Sequence, residues 1–178
     1  MEGAEDGYAF ATGMAAVYST FAALLNSGDH IVSASSVFGS THTLFTKYFP
    51  KWNITTSYFD VNQPETIENF ILPNTKILYA ESPTNPAVDI LDLELLGKIA
   101  KKHNLILIID NCFATPYIQT PLDLGADIVM HSATKYLGGH SDVIAGALIA
   151  KTPELGEKLH FIQFASGGIL GPHDSYLV

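Results

Sequence analysis

Residues 92–110 read DLELLGKIAKKHNLILIID. The first part is an amphipathic helix, Asp92 to His103, with acid at its start and base at its end, the arrangement the helix dipole favours. The second, Leu105 to Asp110, is an apolar run without a break. A strand that shows no alternation is covered on both faces, as parallel strands are. A helix feeding such a strand is half of an α/β repeat, and the chain on either side continues in the same manner.

Upstream, Thr12 caps a helix that Gly28 stops, His30 to Ala34 is a strand, and Thr41 to Tyr48 is a helix ended by Pro50. Ile54 to Asp60 is a strand, a short helix runs from Gln63 to about Leu72, and Lys76 to Ala80 is a further strand. Downstream, Ala114 to Gly125 is irregular with one helical turn. Strands follow at Asp127–Met130 and Ile144–Ala150, a helix at Pro153–Gln163, a glycine-rich stretch to Pro172, and another helix from Ser175. Alternation of β and α implies one domain built on a mainly parallel sheet flanked by helices. Residues 1–7 are expected to be flexible, and both ends read as cuts in a longer chain.

The 178 residues are 47% hydrophobic and 15% charged, the balance of a folded domain rather than a disordered one. A formal charge of −9 disfavours a nucleic-acid partner, which needs a basic face. The one cysteine, Cys112, excludes an internal disulfide and suits a reducing, cytoplasmic compartment. No apolar run approaches the roughly 18 residues of a membrane span, and the start lacks a signal-peptide pattern. No metal site is expected: His131, His140 and Asp142 are ligand types without a helical His pair.

Four features fall at strand exits or at a helix amino end. Thr12-Gly13-Met14 offers free N–H groups to an anion. Phe38 leaves a strand where a ring can stack on a flat ligand. Asp110 ends the most buried strand, where a carboxylate is costly unless paired. Ser132-Ala133-Thr134-Lys135 follows another strand, and a lysine desolvated among small and apolar residues is a nucleophile suited to Schiff-base chemistry. Each also has a plainer reading: a helix cap, a core aromatic, a turn aspartate, a surface lysine. Asn85, between Thr84 and Pro86, is an amide at a strand exit or simply a turn residue. Taken together, the four describe one ligand with a phosphate, a flat ring, a protonated ring nitrogen and an aldehyde. Pyridoxal phosphate has all four, and a carboxylate for its ring nitrogen with a lysine for its aldehyde is what it asks of a protein.

The runs ATGMAA at 11–16, VFGST at 37–41, ESPTNP at 81–86, DNCFATPY at 110–117 and HSATKYLGGHSD at 131–142 closely resemble the Cys/Met metabolism (trans-sulfuration) family of pyridoxal-phosphate enzymes. Cystathionine synthases and lyases, methionine γ-lyase and O-acylhomoserine sulfhydrylases belong to it. The resemblance implies the large cofactor-binding domain of a fold type I transferase. It implies that Lys135 bonds the cofactor aldehyde and moves protons, that Asp110 keeps the ring nitrogen protonated, and that Asn85 bonds the ring's phenolic oxygen. Gly13 and Met14 N–H groups with the Ser132 and Thr134 hydroxyls cradle the phosphate, and Phe38 stacks on the ring. Many members carry tyrosine in place of Phe38, so the stack is kept here and a phenol that helps catalysis is lost. The resemblance further implies a sulfur-containing or O-acylated amino acid substrate and a homodimer or homotetramer. Within the family, SSVFGSTHTLF inclines the reading toward γ-replacement on O-acylhomoserine, then γ-elimination from methionine or cystathionine. A chain that binds the cofactor without turnover is the third reading.

Overall fold

A computed structural model describes residues 1–178. Its strands are β1 (Asp6–Phe10), β2 (His30–Ala34), β3 (Thr55–Phe59), β4 (Thr75–Glu81), β5 (Ile106–Asp110), β6 (Ile128–His131) and β7 (Gly146–Ala150). They form one sheet in the order β1-β7-β6-β5-β4-β2-β3. The pairs from β3 through to β6 are parallel, and β7 alone runs against its neighbours. The mainly parallel sheet read from the sequence is therefore present.

The helices are α1 (Gly13–Leu24), α2 (Gly39–Thr43), α3 (Leu93–Lys102), α4 (Thr115–Ile118), α5 (Pro153–Ser166) and α6 (Pro172–Leu177). Helix α1 packs with α5 over β1, β6 and β7, and α3 lies on β5. Their apolar faces and the strands between them form one core of 34 buried residues. Leu107, Ile108 and Ile109 of β5 are almost wholly buried, as an unbroken apolar strand requires.

From β2 the chain passes to the edge strand β3, recrosses to β4 on the other side of β2, and continues away to β5 and β6. The connections leaving β2 and β4 diverge, so a crevice opens between their carboxyl ends. Such a switch point is where open α/β sheets bind ligands.

Four local readings change. Residues 1–7 are not a loose lead: Asp6 and Gly7 begin β1, which pairs with β7, and Glu2 is 4% exposed. That strand was invisible because its inward residues are few and Gly7 interrupts them. Pro50 does not end its helix; α2 runs through a π turn (Leu44–Tyr48) into a 3-10 turn (Phe49–Trp52). Proline at the start of a new turn gives up no hydrogen bond, and Asn53, with φ 59°, stops the path instead. Pro64–Phe70 is 3-10 rather than α-helical. The last helix starts at Pro172 rather than Ser175.

Candidate active site

Helix α1 begins at the carboxyl edge of the sheet. Thr12 caps it, its Oγ1 accepting the Ala15 N–H at 2.9 Å, and this leaves the first-turn N–H groups of Gly13 and Met14 outside the helix's own bonding. Gly13 is a close approach: a Cβ there would lie 2.7 Å from the Ser132 Cβ. The helix start and the segment after β6 thus press together, and only hydrogen at position 13 allows it.

Ser132 leads into Lys135, whose N–H donates to the Ser132 carbonyl at 3.1 Å. The Thr134 hydroxyl is already engaged, donating to the Ala145 carbonyl at 3.1 Å and accepting the Ala145 N–H at 3.0 Å. As a donor to an anion it must leave that carbonyl, so Ser132 and the α1 amides are the readier groups. Lys135 is exposed and forms no ion pair. The neighbours do not enclose it as expected: Tyr136 is 68% exposed, and Ile144, which lines the same cavity, is 61% exposed.

Asp110 closes β5 and is buried beside Glu81, its register partner at the end of β4. It accepts the Cys112 N–H at 3.0 Å. Burial pushes its carboxyl up to about 6 against that bond and the nearby His131, which both pull down. Burial, followed by the charge of Asp110, pushes Glu81 up to about 8 although the Phe38 and Asn85 N–H groups favour its anion. The Phe38 N–H donates to Glu81 Oε2 at 2.7 Å. Neither acid has a cation partner. On the far side of Asp110, His131 Nε2 lies 2.6 Å from Glu2 Oε1, which also accepts from Asn111 Nδ2 at 3.0 Å.

All eight residues singled out in the sequence, Gly13, Met14, Phe38, Asn85, Asp110, Ser132, Thr134 and Lys135, line one cavity of about 250 Å³. Phe38 is 42% exposed at its mouth. Lys135 also borders a wider depression with Phe113, Tyr136 and Asp142, so its amine stands between an inner and an outer space. Glu81 lines the inner cavity too and was missed. The signal was available: the apolar run at 77–80 ends in an acid just as the run at 105–109 does, and parallel neighbours bring both acids together. Glu2 carried no such signal, since its partners lie more than a hundred positions away in sequence.

A buried carboxylate without a cation, a helix amino end pressed against Ser132 so closely that position 13 admits no Cβ, and an unpaired lysine fit pyridoxal phosphate at three separate points. These features define a pyridoxal-phosphate-binding α/β domain. The family described as Cys/Met metabolism PLP-dependent enzyme matches residues 1–178, and the chain belongs to that family. It is 52% identical over 178 residues to a cystathionine gamma-lyase of Bacillus subtilis, and 45% identical to a cystathionine gamma-synthase/O-acetylhomoserine (thiol)-lyase of the same organism. All of this chain is covered in both alignments, with 47% and 48% of the relatives. A solved cystathionine gamma-lyase from Lactobacillus plantarum, complexed with L-serine, superposes with a TM-score of 0.96 at 46% identity over 99% of this chain and 46% of that one. The chain spans about half the length of the relatives it matches. No helix is long and apolar enough to cross a membrane.

Proposed function

We propose that the chain is the cofactor-binding part of a trans-sulfuration enzyme that replaces the γ-substituent of an O-acylated homoserine, giving homocysteine or cystathionine. The observation that carries the proposal is the shared cavity of Lys135, Asp110 and the α1 amino end. When bound, pyridoxal phosphate supplies an electron sink for the carbanion at the substrate's α-carbon. Asp110, unpaired and anionic, holds a proton on the ring nitrogen. Gly13 and Met14 N–H groups with the Ser132 hydroxyl hold the phosphate, Thr134 contributing when its hydroxyl turns from Ala145. Phe38 covers one ring face, and Asn85 orients the phenolic oxygen. The Lys135 amine bonds the cofactor aldehyde and, once free, moves protons at the substrate carbons. Having no phenol, Phe38 leaves that traffic to Lys135.

The 52% identity to a protein named cystathionine gamma-lyase favours γ-elimination as the second reading. The exposure of Lys135 in a chain about half the length of its relatives favours a third, cofactor binding without turnover. Tyr117 and Ile118, 95% and 76% exposed, stand beside the site on α4 and suit burial in a homodimer or homotetramer. A buried single thiol, Cys112, suits the cytoplasm, where we place the enzyme.

The test is the visible spectrum of the protein reconstituted with pyridoxal phosphate, beside Lys135→Ala. Wild type is expected to show a band that borohydride abolishes, and the variant to lack it. Consumption of O-acylhomoserine with sulfide then separates replacement from release of a 2-oxo acid from cystathionine. A folded wild type without the band would sink the cofactor reading; a band without either turnover leaves the third.

A further inference from the structure

Glu81 has no role in the reading so far, yet it is 3% exposed at the tip of β4 and lines the cavity. A buried carboxylate persists only where hydrogen bonds or function repay its desolvation. Its side-chain hydrogen bond crosses to a neighbouring loop: Oε2 accepts the Phe38 N–H at 2.7 Å across 43 positions of sequence. Its own backbone pairs in register with Asp110. Phe38 otherwise starts α2 without a side-chain cap and stands 42% exposed, so little else fixes its loop.

We propose that Glu81 is a positioning residue, whose side chain ties the Phe38 loop to the strand end beside Asp110. The ring cover and the ring-nitrogen partner are then set relative to one another through one side chain. This inference rests on the cofactor reading only for its second measurement.

The first measurement needs no cofactor: amide hydrogen exchange of Phe38 in wild type, Glu81→Ala and Glu81→Gln, with the Ser35 amide, bonded to the Phe59 carbonyl at 2.9 Å, as the internal control. In Glu81→Ala the Phe38 amide is expected to exchange about tenfold faster, the loss of one buried hydrogen bond. Glu81→Gln keeps an acceptor oxygen and should stay within about threefold of wild type, while Ser35 is unchanged in all three. The second measurement is pyridoxal phosphate affinity, expected to weaken about tenfold in Glu81→Ala and to return in Glu81→Gln. Unaltered Phe38 protection in Glu81→Ala overturns the inference, as does equal affinity across the series. Should Glu81→Ala fail to fold, Glu81→Asp replaces it: shortened by a methylene, it must also lose Phe38 protection, and retained protection refutes the tie. A wild type that binds no pyridoxal phosphate overturns the cofactor reading, while Phe38 exchange still decides whether Glu81 holds the loop.

Discussion

Glu2, ahead of β1, and Glu81, at the end of β4, are buried to the same degree, 4% and 3% exposed, and they differ in what faces them. Glu2 meets the His131 imidazole and the Asn111 amide, and Asn111 in turn accepts from Gln119. Only its Oε2 and the His131 Nδ1 lack partners. Glu81 meets backbone N–H groups and a second acid, Asp110, with no cation between them. Apart from those two atoms, the first arrangement closes on partners within the chain and ties residues near the amino end to β6. The second leaves negative charge in a low-dielectric place, a debt that a protonated ring nitrogen would settle. A buried acid that faces an imidazole and an amide supports the fold, and one that faces a second acid with no cation points to a ligand.

Removing the imidazole should have the largest effect. His131→Ala opens a cavity under β6 and leaves the buried Glu2 side chain with the Asn111 amide as its one partner, and each loss alone is worth a kcal/mol or more. Together they are expected to destabilise the protein by about 3 kcal/mol in urea unfolding. A loss under about 1 kcal/mol would mean that Glu2 simply swings into solvent and that its cluster is no support.

The acid pair should respond the other way. Asp110 and Glu81 are both held above their ordinary values of 3.8 and 4.5, at about 6 and about 8, so between those limits the folded chain binds more protons than the unfolded one. The stability they contribute is complete below about pH 4 and is lost as pH rises toward 8. Without pyridoxal phosphate, the protein should therefore be less stable at pH 8 than at pH 5. Glu81→Gln removes one buried charge and should gain about 2 kcal/mol at pH 8 and little at pH 5. Unfolding curves at the two pH values check it, and a Gln variant no steadier than wild type at pH 8 would show the pair to be neutralised already.

Much of this was legible in the residues. Helix α1 announced its cap, Thr12, which makes the expected bond at 2.9 Å, and Asp92, read as acid at the start of α3, proves to cap it, accepting the Leu95 N–H at 2.9 Å. The apolar run ending at Asp110 forecast a covered parallel strand and an acid in need of a partner, and its residues lie where that reading put them. What escaped depended on distance in sequence. Strand β1 exists because β7 offers it a reversed edge, and its own pattern, with Gly7 in the middle, does not ask for one. Glu2 meets His131 only once β6 is in place. The exposure of Lys135 is set by which segments pack over it, which no local pattern encodes.

The smallest change is the one that divides the two clusters most cleanly. Glu2→Gln keeps the shape and an oxygen that still accepts from His131 and Asn111, so no cavity forms, and its amide nitrogen takes the place of Oε2, which has no partner. What it loses is the extra strength of a bond to a charged acceptor, about 1 kcal/mol. The same substitution of Glu by Gln is thus expected to destabilise at position 2 and to stabilise at position 81 when both are measured at pH 8. Local geometry cannot produce that difference, because both side chains are equally buried and both accept from N–H groups. It arises from the charge opposite, an imidazole in one case and a carboxylate in the other. Should both variants gain stability, the Glu2 carboxylate would also be an unrepaid buried charge, and the amino-terminal residues would have to be counted as part of the ligand site rather than as its support.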